Sequence, residues 1–203
     1  MIKIKFFSSL LIIAFLSCNV QEKKKNIISK ARLKNYVDRF NKNDNELYKQ
    51  FISNDESFKF LNKNIPMIDL PNKEIEETYY FRWWTYRKHI KNTDDGFVIT
   101  EFLPKVFWSG KYNTINCPAA HHIYEGRWLK DPKYVSEYIN FWLENSGDGI
   151  RQYSFWVADA TLAFNDIHRN DSILSNQLEP LIKNYNQWGK IRRDEGKSLY
   201  FQW

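Results

Sequence analysis

The sequence has few of the residues that would indicate a metal site or a disulfide-stapled fold. Of its 203 residues, only 2 are cysteines and 4 are histidines. Cys18 is assigned to lipid attachment below, which leaves Cys117 without a partner for an intramolecular disulfide. The adjacent His121 and His122 would point about 100° apart on a helix, and no His-x-x-x-His spacing accompanies them. We therefore expect no disulfide in the mature chain, no metal and no cofactor.

An apolar run long enough to span a bilayer is also missing from the start of the chain. The run at residues 6–16 has 11 residues, whereas a membrane helix needs about 20. Two lysines precede it and a Ser-Cys pair ends it at Cys18, which is the order of a bacterial lipoprotein signal. We expect a signal peptide over 1–18, acylation of Cys18, a polar tether over 19–30 and a lipid-anchored place in the cell envelope, on a periplasmic or outer-membrane face. The alternatives are an ordinary cleaved signal and an anchor left in place.

Positive charge is not spread over the chain, although its net charge is +6. Residues 1–50 hold 11 Lys and Arg against 4 Asp and Glu, whereas residues 51–203 hold 19 against 20. A nucleic-acid-binding domain would carry the excess on its folded body. The sequence therefore predicts no nucleic-acid partner.

Glycine and proline are scarce, with 7 and 6 copies, whereas aromatic residues are abundant, with 8 Trp, 12 Tyr and 15 Phe. This composition suits a helical protein that carries large side chains on its inner faces. Apolar residues recur at helical spacing over residues 31–42 and in several segments after residue 117. We predict an all-α fold, with a helical N-terminal extension over 31–66 and short extended pieces at 97–103 and 198–203.

Two stretches, residues 77–89 and 117–128, place aromatic and basic side chains close together in the sequence. The first lies in a predicted helix over 73–91, because carboxylates stand near its start and basic residues near its end. Aromatic planes beside arginine side chains on a rigid helix suit a ligand with flat apolar faces and many hydroxyl groups. Sugars have both properties.

Four segments of the chain carry a family resemblance: residues 79–89, 95–104, 113–129 and 151–159. In this order they resemble the start of the barrel of bacterial six-hairpin glycosidases. The group is the mannosylglycerate-hydrolase-like one, related to glycoside hydrolase family 63, and the resemblance extends over roughly residues 65–203. It implies that residues 67–203 form the first hairpins of an incomplete (α/α)6 toroid, and that the activity is hydrolysis of O-glycosidic bonds in carbohydrates, with inversion.

Carboxyl groups are the first requirement of such a site, because glycosidases place two of them beside the scissile bond. Glu101 and Glu125 lie among aromatic and polar residues rather than in charge runs, and we expect them to be the catalytic pair. The alternatives are an exposed or helix-capping role for Glu101 and a structural ion pair for Glu125. For Asp159, a buried hydrogen bond and a sugar contact are both open.

Aromatic rings, arginines and histidines are the candidate sugar-binding groups. The rings either stack on sugar faces or fill the core. The arginines either pair with the three carboxylates or bind the substrate. One imidazole either bonds to sugar hydroxyls or is satisfied within the barrel wall. The candidates are Tyr79, Arg82, Trp83, Trp84, Arg87, His121, His122, Arg127, Trp128, Arg151, Tyr153, Trp156 and Asp159.

The number of helices bears on activity, because a six-hairpin barrel needs twelve and only about five are expected after residue 73. In the family that the chain resembles, a stretch like residues 198–203 leads into an acidic segment that supplies the general acid. We therefore expect a truncated, weakly active or inactive glycosidase, with a separately encoded remainder of the barrel as a partner. A non-catalytic carbohydrate-binding lipoprotein is the alternative.

Overall fold

The computed structural model describes residues 29–201. The signal peptide, Cys18, the tether up to residue 28 and Trp203 lie outside this range, so the predictions made for them stay predictions. Within the described range the fold is all-α, as predicted. Its seven α-helices are α1 (Lys30–Lys42), α2 (Asn54–Asn64), α3 (Lys73–His89), α4 (Ala119–Gly126), α5 (Lys133–Asn140), α6 (Val157–His168) and α7 (Asp171–Arg192).

The N-terminal extension packs directly on the first long helix of the body. Leu33, Tyr36, Val37 and Phe40 are the buried residues of α1, and their spacing puts them on one face, as the sequence predicts. The α1 and α2 helices contact each other and both contact α3. The extension is therefore part of the same core as the aromatic helix α3.

The α3 helix begins and ends at clear local signals. The Asn72 side-chain oxygen accepts hydrogen bonds from the backbone N–H groups of Glu74 (3.0 Å) and Ile75 (3.2 Å), which caps the first turn. The helix ends at His89, two residues earlier than predicted, because the chain then enters a β-hairpin. Its strands are β1 (Ile90–Thr93) and β2 (Gly96–Ile99), paired antiparallel with Ile90 opposite Ile99.

The remaining helices form the stacked hairpins that the sequence predicts. The α4 helix packs on α6, α5 packs on β2, and α6 packs on α7. Asn170 caps α7, since its side-chain oxygen accepts from the Ile173 N–H at 3.2 Å. The α7 helix continues through Pro180 to Arg192 without a break. A final short hairpin joins β3 (Arg193–Asp194) to β4 (Leu199–Tyr200).

One continuous core runs beneath the hairpin and the helices. It includes Trp83 and Tyr138, which are 4% and 0% exposed. Across residues 29–201, no helix has the length and apolar character required to cross a membrane.

Candidate active site

A concave site of about 250 Å³ lies where α3, the end of β2 and α4 meet. We call it the Glu101 cavity. It contains both predicted catalytic residues, Glu101 and Glu125, so the structure brings together two carboxyl groups that are 24 positions apart in the sequence. Its lining consists of Arg82, Thr85, Tyr86, His89, Ile99, Thr100, Glu101, His122 and Glu125.

One face of α3 supplies nearly half of this lining. Arg82, Thr85, Tyr86 and His89 are spaced at i, i+3, i+4 and i+7, which places them on the same side of a helix. Of these four, only Arg82 was predicted from the sequence to be a site residue. The other three could have been predicted from their helical spacing relative to Arg82.

Glu125 is held by a two-point contact with an arginine. The Arg82 Nε donates to Oε1 at 3.1 Å, and Nη2 donates to Oε2 at 2.7 Å. The Glu125 side chain is 24% exposed and the Arg82 side chain 65%. This geometry fixes the orientation of the Glu125 carboxylate. It also confirms the ion pair considered for Glu125 from the sequence, and this pair lies at the edge of the cavity.

Glu101 has the opposite surroundings. Its Oε2 atom is buried and has no hydrogen-bond partner among the described residues. Burial raises the pKa of Glu101 above its ordinary value, because removal from water disfavours the charged form. The cavity therefore pairs a desolvated carboxyl group with one that an arginine neutralises, and such a difference separates acid from base in many active sites.

The two histidines of the cavity are neutral hydrogen-bonding groups at pH 7. His89 Nδ1 donates to the Thr100 carbonyl oxygen at 2.8 Å, so Nε2 is the free acceptor. Burial lowers the pKa of His89. For His122, burial, with His89 and His121 nearby, lowers the pKa to about 4. His122 Nδ1 lies 3.3 Å from the hydroxyl of Tyr138.

Tyr86 and Gly126 fix the spacing between α3 and α4. The Tyr86 hydroxyl donates to the His122 carbonyl oxygen at 2.9 Å. A β-carbon added at Gly126 would lie 2.0 Å from that hydroxyl oxygen and 2.7 Å from a methyl group of Val135. Glycine is therefore required here by the close approach of Tyr86 to α4.

Four other predicted sugar-binding residues belong to α3 and are not part of the lining of the Glu101 cavity. Arg87 is 0% exposed, and its Nη1 donates to Gln50 Oε1 and to the Ile52 carbonyl oxygen, both at 2.6 Å. Its Nη2 donates to Asn54. The guanidinium is thus occupied by neutral groups, and the expectation that it pairs with a site carboxylate is wrong. The others are Tyr79, Trp83 and Trp84, of which Trp83 and Trp84 are buried.

A second group of predicted residues lies on the exposed surface of α4 and α6. The His121 ring meets the Trp156 ring edge to face at 4.9 Å, which confirms that His121 and His122 point in different directions. Asp159 is exposed and accepts a hydrogen bond from the Tyr124 hydroxyl, so it is not the buried acceptor considered from the sequence.

Arginines 127 and 151 do not pair with the three carboxylates either. The Arg127 guanidinium lies over the rings of Tyr124 (4.4 Å) and Trp128 (5.2 Å). Arg151 bonds to Asp148 and, at 3.1 Å, to Asn184. Of the arginines selected from the sequence, only Arg82 contacts one of the predicted carboxylates.

The segment around Tyr153 and Trp156 leads into an aromatic groove of about 350 Å³ between the start of α6 and α7. Asn116 anchors this segment: its side-chain N–H groups donate to the Ile150 carbonyl at 2.9 Å and the Tyr153 carbonyl at 2.7 Å. We call this 350 Å³ groove the aromatic groove. The rings that line it belong to Phe155, Trp156, Tyr185, Trp188 and Tyr200.

Comparison with known proteins relates the C-terminal part of the chain to a glycoside hydrolase family. Residues 111–203 match the family model of the mannosylglycerate hydrolase MGH1-like glycoside hydrolase domain. The resemblance seen in the sequence is confirmed. This MGH1-like region contains α4 to α7, and with them Glu125 and the aromatic groove.

A solved structure named "Sialidase" is similar to the chain, with a TM-score of 0.81 and 36% sequence identity. The match covers 86% of this chain and 16% of that protein, so the chain spans about a sixth of its relative's length. No curated protein matches the chain.

Proposed function

We propose that the chain acts in the hydrolysis of O-glycosidic bonds and that the Glu101 cavity binds a sugar ring. The observation that carries this proposal is the pair of carboxyl groups in one cavity, one desolvated and one held by an arginine. The MGH1-like match and the similarity to a protein named "Sialidase" support the same class of chemistry.

The surroundings of the two carboxyl groups support a different role for each. Glu101, whose pKa is raised by burial, is the general acid that gives its proton to the glycosidic oxygen as the bond to the anomeric carbon breaks. Glu125 is the general base that takes a proton from water as the water oxygen attacks the anomeric carbon, which inverts the configuration. The neutral rings of His89 and His122 hydrogen-bond to sugar hydroxyls.

The test is an assay of the purified chain on a panel of aryl glycosides and natural disaccharides. Glu101→Gln and Glu125→Gln should each abolish turnover, because each removes one proton-transfer group. Glu179→Gln is the matched control, since Glu179 is exposed on α7. NMR of the first-formed product should show the inverted anomer. Turnover that survives both substitutions would show that the catalytic pair lies elsewhere.

A second candidate function, carbohydrate binding without catalysis, is favoured by the aromatic groove. Its five rings and the polar side chains of Ser154 and Asn184 combine the apolar faces and hydrogen-bonding groups that ligand sites use. In this case Trp156→Ala should weaken oligosaccharide binding in calorimetry while no glycoside is hydrolysed. Turnover that depends on Glu101 would decide for the enzyme.

We also propose attachment to the cell envelope through Cys18. The support is the pattern of residues 1–18, in which two lysines, a short apolar run and a Ser-Cys pair follow one another. Labelled palmitate should enter the wild-type chain and be absent from Cys18→Ala. Equal labelling of both would contradict the anchor, and Cys117→Ala controls for acylation of the other cysteine.

A further inference from the structure

A larger cavity, of about 510 Å³, lies between β1 and the loop at residues 103–113. We call it the lysine cavity, after Lys91, Lys105 and Lys111, which line it. No carboxylate belongs to its lining within the described range. It is distinct from the Glu101 cavity, and the proposed hydrolysis makes no use of it.

Two of the three lysines have no counter-charge. Lys111 is paired with Asp95, whereas Lys91 and Lys105 form no ion pair with any residue of 29–201. Lys91 is partly buried, and burial lowers its pKa with no opposing contribution from a carboxylate. An ammonium group withdrawn from water without a partner is unfavourable, and an anion in the cavity would supply the missing charge.

The loop that closes this cavity is held in one shape by a buried asparagine. The Asn113 side-chain N–H groups donate to the carbonyls of Phe102 (2.6 Å) and Pro104 (2.8 Å), and its Oδ1 accepts from the Val106 N–H (3.1 Å) and the Ser109 hydroxyl (2.6 Å). Asn113 itself has φ of +64°. Asparagine tolerates this left-handed region, whereas the neighbouring Tyr112, with φ of +60°, is a bulky residue held there under strain, and such strain is concentrated at binding sites.

We propose that the lysine cavity binds the anionic group, a carboxylate or a phosphate, of a small hydroxylated molecule. The cavity volume exceeds the room that one oxyanion needs, so the rest of the ligand also lies inside. The Asn92 amide lines this remaining space and suits sugar-type hydroxyls. The hydroxyls of Thr93 and Ser109 already donate to the Gly96 carbonyl and to Asn113, so they offer a ligand only an acceptor oxygen. The ligand is thus an acidic or phosphorylated sugar-sized molecule rather than a neutral sugar.

The experiment is isothermal titration calorimetry of the full chain with three probes: glucuronate, glucose 6-phosphate and glucose. At least one charged probe should bind tenfold or more tightly than glucose, and added NaCl should weaken it. Lys91→Met keeps most of the side-chain volume and removes the charge, so it should weaken that binding at least tenfold. Lys91→Arg should retain binding, and Lys59→Met, an exposed change on α2, should have no effect.

The relative affinities of glucuronate and glucose 6-phosphate identify which anion the cavity prefers. Circular dichroism establishes that Lys91→Met is folded, and Lys105→Met provides a second test at the exposed rim. Equal binding of glucose and the charged probes, no binding of either charged probe, or full affinity in both methionine variants would each overturn the proposal. The result is independent of glycoside turnover, so failure of one proposal leaves the other standing.

Discussion

Arg87→Met should destabilise the fold and Arg82→Met should weaken sugar binding, although both arginines lie on α3 only five positions apart. Arg87 is fully buried and donates hydrogen bonds to Gln50, Ile52 and Asn54. Arg82 has a side chain that is 65% exposed and contacts Glu125 at the cavity. The first substitution therefore tests the core, and the second tests the site.

The expected magnitudes follow from burial. Arg87→Met leaves the buried acceptors of Ile52 and Asn54 without a donor, at about 1–3 kcal/mol each, so we expect a loss of about 2–6 kcal/mol of unfolding free energy. At roughly 2–4 °C per kcal/mol for a chain of this length, the melting temperature should fall by about 4–24 °C. Arg82→Met removes an exposed ion pair worth about 0–1 kcal/mol, and should lower the melting temperature by a few degrees at most.

The assay is thermal unfolding by circular dichroism, followed by sugar binding or turnover at a temperature where both variants are folded. Arg82→Met should bind sugar more weakly, because Glu125 loses its orientation, whereas folded Arg87→Met should keep the affinity of the wild type. An Arg87→Met variant with an unchanged melting temperature and no sugar binding would refute the division between core and site.

Three further predictions concern the Glu101 cavity. Gly126→Ala should destabilise the fold by about 1–3 kcal/mol, and Tyr86→Phe in the same chain should recover part of the loss in thermal unfolding, because it removes the oxygen 2.0 Å from the new β-carbon. The pKa of His122 is about 4 in the folded protein and about 6.5 in the unfolded chain. The stability present above pH 6.5 is therefore lost as the pH falls towards 4. Urea titrations of the wild type should show this loss, and His122→Gln should reduce it. Glu101 has a raised folded pKa, so wild-type stability should fall relative to Glu101→Gln as the pH rises above about 4.3; the same difference at every pH would contradict this.

Local patterns made the helices predictable from the sequence. The buried face of α1 and the start of α5, where the Asp131 carboxylate accepts from the Lys133 N–H at 3.1 Å, involve residues only a few positions apart. The partners of Arg87 are 33 to 37 positions away, in the loop before α2 and at the first residue of α2. Neither periodicity nor composition specifies such a contact, so a core arginine was taken for a site residue.

The two carboxylates of the candidate site could be predicted from the sequence, but most of the other residues that line its cavity were not. Glu101 and Glu125 stood out because few other carboxyl groups lie among aromatic residues. The contributions of Thr85 and His89 depend on which face of α3 turns towards α4, and the dense aromatic residues of α3 drew attention to the opposite face. The lysine cavity could not be predicted from the sequence, because one of its walls is a loop whose shape depends on the hydrogen bonds of Asn113.

The packing of α1 against α3 would limit how far the folded body of a chain anchored at Cys18 could stand from a membrane. Since α1 begins at Lys30, a lipid anchor at Cys18 would leave 11 residues, 19–29, between the acylated residue and the first helix. Fully extended chain covers at most about 3.3–3.6 Å per residue, which gives an upper reach of about 40 Å. An anchored chain would therefore work as a surface-bound protein that meets only those glycans that come within one protein diameter or so of the bilayer.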